Sequence, residues 1–107
     1  MTDPTFVQGN TAPAITATLH DEDDPTIVLD LSTATGVRFQ MRRHDDRRFT
    51  VNAAAVIVDA LAGKVAYAWS ANDLAVPGDY DVQWEVTFND GKVQTTAHPN
   101  RITVRRQ

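Results

Sequence analysis

Tyr80-Asp81-Val82-Gln83-Trp84-Glu85-Val86-Thr87-Phe88 alternates large apolar with polar side chains at every step. A period of two places Tyr80, Val82, Trp84, Val86 and Phe88 on one side of an extended chain and Asp81, Gln83, Glu85 and Thr87 on the other. The spacing therefore predicts a β-strand with one face on a core and the other in water. At about 3.3 Å per residue it spans roughly 30 Å, the height of a small β-domain. The run stops at Asn89-Asp90-Gly91, where an Asp-Gly pair supplies the positive φ of a tight hairpin, so the returning strand is expected over residues 92–96.

Outward from this strand the same pattern recurs. Val65, Tyr67 and Trp69 alternate with Lys64, Ala66 and Ala68. The preceding run 54–59, rich in the β-branched residues Val56, Ile57 and Val58, is its expected hairpin partner across 60–63. Val37, Phe39 and Met41 alternate with Arg38, Gln40 and Arg42; Ile15, Ala17 and Leu19 alternate with Thr16 and Thr18; Ile102 and Val104 flank Thr103. Turn signals separate these runs at Gly9-Asn10, Asp24-Pro25, Thr35-Gly36, Leu61-Ala62-Gly63, Pro77-Gly78, Asp90-Gly91 and Pro99-Asn100. Residues 70–74 suit one helical turn capped by Ser70. About seven short strands with turns at this spacing predict an all-β chain, an immunoglobulin-like antiparallel β-sandwich, folded as a single domain over 1–107 with short flexible termini. Tyr80, just after Gly78-Asp79, stands where the tyrosine corner of such sandwiches ties down the preceding connection. Trp69 and Trp84 are expected in the core, each able to bury about 150 to 250 Å².

Composition narrows the function. The chain has 107 residues, is 42% hydrophobic and 22% charged, and lacks cysteine, which excludes a disulfide framework, a thiolate metal site and a cysteine nucleophile. A net charge of −4 speaks against nucleic acid, which calls for a basic face. No apolar run is long enough to cross a bilayer, so no membrane association is expected. The start, Met1-Thr2-Asp3-Pro4, lacks the pattern of a secretory signal, so synthesis and retention in a cytoplasm are expected.

Candidate chemistry is sparse. The acidic loop His20-Asp21-Glu22-Asp23-Asp24 invites a calcium reading, but it lacks the glycine and distal glutamate of an EF-hand, and a solvated loop is the plainer reading. His20, His44 and His98 fall in three separate predicted loops without a zinc spacing. Ser32 and Ser70 have no nucleophile-elbow setting, and the isolated glycines cradle no phosphate. No enzyme, cofactor or metal site is therefore expected. Exposed tryptophans would make a carbohydrate platform, whereas their place on alternating strands indicates core packing. The most unusual stretch is Arg42-Arg43-His44-Asp45-Asp46-Arg47-Arg48. It reads either as a hairpin tip neutralised by its own aspartates or as an arginine docking patch.

Two blocks of sequence carry a family resemblance. The first is Ala12-Pro13-Ala14-Ile15, an acidic loop, Val28-Leu29-Asp30-Leu31 and Val37-Arg38-Phe39-Gln40-Met41-Arg42. The second is Gly63-Lys64-Val65-Ala66-Tyr67-Ala68-Trp69, Pro77-Gly78-Asp79-Tyr80, Trp84-Glu85-Val86-Thr87-Phe88, Asn89-Asp90-Gly91 and Thr96 before Pro99. In order and spacing they resemble the N-terminal domain of phage baseplate upper proteins, over roughly residues 6 to 104. The resemblance implies an immunoglobulin-like fold and a virion role, attaching tail or baseplate components to the particle. Two departures stand out. Nothing follows the last strand, so a receptor-binding extension is not expected, and Asp24-Pro25 replaces a glycine often found in that loop.

The expectation is thus a non-enzymatic structural or docking component of a bacteriophage virion, in the tail or baseplate. It would work in multiple copies with other virion proteins as partners. A capsid decoration or head-to-tail joining protein, or a carbohydrate-binding adhesion module, are the alternatives. Arg42, Arg43, Arg47 and Arg48 at the tip and Arg101, Arg105 and Arg106 in the tail are the candidate protein-interface residues. The threading of residues 27–31 decides whether the acidic loop and the arginine tip lie at opposite ends.

Overall fold

A computed structural model describes residues 5–21, 26–96 and 101–107. Its strands are β1 (Thr5–Val7), β2 (Ile15–Thr18), β3 (Ala34–Arg43), β4 (Phe49–Asp59), β5 (Lys64–Tyr67), β6 (Gly78–Phe88), β7 (Val93–Thr96) and β8 (Arg101–Arg105). They form one eight-stranded sheet in the order β1-β8-β6-β3-β4-β5-β2, with β7 also paired to β6. The alternating run that opens the sequence reading is an interior strand of this sheet, β6. One edge of β6 pairs with β3 along nearly its whole length, while the other is shared between β8 near Gly78–Asp81 and β7 near Trp84–Thr87.

The sheet curls so that its two ends enclose one core. Strand β4 makes the bend: its first half pairs with β3 and its second with β5. Phe39 of β3 meets both sides of the core. Its ring lies 4.8 Å from that of Tyr67, 5.5 Å from Trp69 and 4.9 Å from Trp84, and Phe6 of β1 closes on Trp69 at 5.0 Å. Edge-on and offset contacts of this kind add about 0.5 to 1.5 kcal/mol per pair beyond the area buried. Tyr80, Val82, Trp84 and Val86 are buried as their alternation predicts, as are Val37, Phe39, Met41, Ile15, Leu19, Ile102 and Val104, with Phe88 partly buried against them. Trp69 and Trp84 are 4% and 0% exposed, so neither indole lies on the surface as a sugar platform.

Local expectations hold at three places and shift at others. The tyrosine corner is formed: the Tyr80 hydroxyl donates to the Val76 carbonyl at 2.6 Å. The hairpins β4–β5 and β6–β7 are both present, with Gly91 at φ 87° in the second. Among the described residues there are eight strands instead of about seven, and the added one, β1, pairs parallel to β8, so the sheet is not wholly antiparallel. At three residues β1 is too short to display an alternation. Strand β4 begins at Phe49, well before residue 54. Residues 70–74 form a turn in which the Asp73 carboxylate, not Ser70, is the cap: its Oδ2 accepts from the Ser70 N–H at 2.8 Å and from the Tyr67 hydroxyl at 2.6 Å. Loss of water from around the ring, and then the hydrogen bond to the Asp73 carboxylate, raises the Tyr67 pKa above the ordinary 10.0. The turn signals at Asp24-Pro25 and Pro99-Asn100 lie outside the described residues.

Candidate functional site

All seven candidate arginines come to one end of the molecule. Strand register places them there. Arg42 and Arg43 close β3 opposite Asp81 and Tyr80, at the start of β6. Arg47 and Arg48 lie in the loop beyond them, Arg101 stands opposite Asp81, and Arg105 and Arg106 continue past Val104, which pairs with Gly78. The loop is held by its backbone: the His44 N–H donates to the Asp79 carbonyl at 3.1 Å and the Asp46 N–H to the Arg43 carbonyl at 3.0 Å.

Two of the seven are tied into the fold. The Arg43 guanidinium covers the Tyr80 ring at 5.6 Å, and a Cβ at Gly78 would stand 3.2 Å from its Nη2. Arg43 thus stiffens the tyrosine corner from above. Arg101 lies beside the His44 ring, with Nη2 3.0 Å from Nδ1, and its Nε is 3.8 Å from the Asp81 carboxylate, which His44 also meets at 3.2 Å. These pairs are half in water and contribute at most about 1 kcal/mol.

The other five are free to act outward. Among the described residues, the guanidinium groups of Arg42, Arg47, Arg48, Arg105 and Arg106 meet no carboxylate and form no hydrogen bond. Asp45 and Asp46 form no ion pair with the arginines of the tip among the described residues. Asp46 instead accepts from the Arg48 backbone N–H at 3.0 Å, an Asx turn that shapes the loop. Phe49, 39% exposed, stands at the base of the same loop. Arginine beside an exposed aromatic ring is the composition enriched at protein interfaces.

The described flanks of the acidic loop lie away from the arginines. The stretch Glu22-Asp23-Asp24 and the proposed turn with Pro25 lie outside the described residues, but both flanks are anchored. The Asp21 N–H donates to the Ile27 carbonyl, His20 bridges Val28, and the Leu19 N–H donates to the Gly63 carbonyl, all near the turn between β4 and β5. Residues 27–31 run beside that turn, with the Leu31 N–H on the Ala60 carbonyl. The eleven residues of β4, roughly 35 Å of extended chain, separate this end from the arginine tip.

The other candidate polar groups that are described take part in local structure. His44 is engaged with Asp81 and Arg101, Ser32 and Ser70 bond to neighbouring aspartates through their backbone N–H groups, and His98 lies outside the described residues. A hydrogen bond from the Ser32 N–H holds the Asp30 pKa below the ordinary 3.8. Among the described residues, no three His, Asp or Glu side chains converge as metal ligands. A depression of ≈ 450 Å³ is lined by Thr16, Ala17, Thr18, Val58, Lys64 and Val65, with hydroxyls and one ammonium but no acid–base pair. Trp69 Nε1 is buried without a hydrogen-bond partner.

Such an arrangement defines a small all-β structural module whose distinctive surface is a cluster of outward-facing arginines. The model of the family described as the BppU N-terminal domain matches residues 5–99. The chain belongs to that family, so it is a phage baseplate structural domain and a component of the virion. No curated protein matches it.

Proposed function

We propose that this domain is a non-enzymatic docking module of the phage tail or baseplate, present in several copies and joined to other virion proteins through its arginine end. Neither nucleic acid nor a membrane is its partner in this reading. The observation that carries it is the unpaired state of Arg42, Arg47, Arg48, Arg105 and Arg106 in a chain whose family is a baseplate one. A rigid β-module presenting forked donors on one end suits a carboxylate-bearing protein surface better than a small substrate. The fold class expected from the sequence, an immunoglobulin-like sandwich, supports the same reading, because such domains act through edges and loop ends.

The test is made on particles. Phage carrying Arg47→Glu and Arg48→Glu together should assemble with the domain depleted from purified virions, as read by quantitative mass spectrometry, while the isolated variant keeps its unfolding midpoint. Wild-type copy number in the variant particles would refute the docking role of this end. Location of the domain on the capsid surface in a particle map would refute the tail and baseplate placement.

A further inference from the structure

We infer that the arginine end docks onto the opposite end of a second copy, so that the domain assembles head to tail. The inference rests on the reading of the arginine end as a contact surface and names its partner. Three observations lead to it. First, the charge is divided along β4: the arginine loop stands at its start, and the turn that carries the carboxylates follows its eleventh residue. Second, the far extreme carries exposed carboxylates: Asp30 and Asp59 are brought together when the Leu31 N–H reaches the Ala60 carbonyl. Third, the apolar groups at that extreme are bare, with Leu61 76% and Ile27 53% exposed.

A surface that mixes carboxylates with exposed aliphatic groups is the complement of guanidinium forks around an exposed ring. Arginine pairs with the carboxylates through its planar donors and lays its stem on the aliphatic groups. Both parts are on the same chain at opposite ends, so the contact is heterologous: each copy uses one surface to give and the other to receive. Such contacts propagate into a ring if the rotation closes and into a filament if it does not. Repetition of many identical contacts makes up for a modest single one.

Sedimentation velocity of the whole chain tests this. In about 0.01 M salt, where the screening length is about 30 Å, the weight-average mass should rise with protein concentration; in about 1 M salt, where it is about 3 Å, it should return to the monomer value. Arg47→Glu/Arg48→Glu should abolish the rise, as should Ile27→Lys/Leu61→Lys, both pairs being exposed positions with no side-chain hydrogen bond to lose. The decisive arm mixes the two variants. Each retains one unaltered end, so in low salt the mixture should associate, to a 1:1 dimer or beyond, where neither variant does alone. A monomer under all conditions, association of either variant alone at the wild-type level, salt-independent association, or a mixture that stays monomeric would each overturn the inference. Depletion of the arginine variant from particles alongside a monomeric wild-type chain would remove self-assembly and leave the docking role in place.

Discussion

Strands β4 and β6 are equal in length, eleven residues each, and opposite in construction. Strand β6 alternates without fault and stays in the part of the sheet formed with β3, β7 and β8. Its inward Trp84 and Val86 have no exposure, and its outward Asp81, Gln83 and Glu85 stand opposite Arg42, Gln40 and Arg38 in the register of the strand pair. The Gln83 side chain donates to Gln40 at 2.7 Å. Strand β4 instead reads Val51-Asn52-Ala53-Ala54-Ala55-Val56-Ile57-Val58, and its outward side changes along its length. Asn52 accepts from the Arg38 Nε at 2.9 Å, whereas Val56 and Val58 are 64% and 61% exposed.

The alanines between these two parts are the reason the strand can serve both. Small side chains at Ala53 and Ala55 leave room on the concave side where the sheet curls, and no large group must move between packing environments. The bend costs β4 its alternation. A strand that remains in one layer advertises itself in the sequence, while a strand that turns the corner does not.

The contrast can be broken most severely at its regular member. Trp84→Ala removes the largest fully buried side chain of β6 and should cost about 3 to 5 kcal/mol, read as a fall in the denaturant midpoint. Destabilisation below about 1 kcal/mol would show that the aromatic centre does not hold the two parts of the sheet together. Gly63→Ala acts where β4 turns into β5. Gly63 has φ 65°, and a Cβ there would stand 2.8 Å from the Leu29 carbonyl oxygen and 2.9 Å from that of Leu19. Backbone atoms cannot step aside as a side chain can, so about 2 to 3 kcal/mol should be lost.

A smaller effect is expected at Tyr67, where the far part of the sheet meets Asp73. Tyr67→Phe should cost about 1 to 2 kcal/mol at neutral pH through the hydrogen bond to a carboxylate. It should also alter the alkaline profile. Because the folded pKa is raised, the folded chain holds the phenolic proton after the unfolded chain has released it. Wild-type stability is therefore full below pH 10.0 and falls as pH rises from there through the folded value, a fall that the phenylalanine variant should lack. Urea titrations from neutral to alkaline pH measure the difference, and parallel profiles would contradict it. The smallest effect belongs to the irregular strand: Val58→Thr, outward on β4, should shift stability by no more than about 0.5 kcal/mol.

Much of the candidate site was legible before the fold. The arginine run 42–48 was visible as a hairpin tip because Val37, Phe39 and Met41 end just before it. What remained open was its state of charge. Proximity in sequence suggested that Asp45 and Asp46 would neutralise it, yet turn geometry directs Asp46 to a backbone N–H and leaves the forks unpaired. The clasp of Arg43 over Tyr80 joins residues 37 positions apart, and no local signal announces it.

The sequence by itself determined the all-β class, the inward faces of β3, β5 and β6, and the two tight hairpins, because alternation and turn chemistry act over a few neighbouring residues. Tertiary structure alone decided that β4 belongs to two parts of the sheet, that β1 joins β8 in parallel, and that the arginines and the acidic flanks occupy opposite ends. Those outcomes depend on which distant strands share hydrogen bonds, and a periodicity of two says which way a side chain faces but not which strand lies beside it.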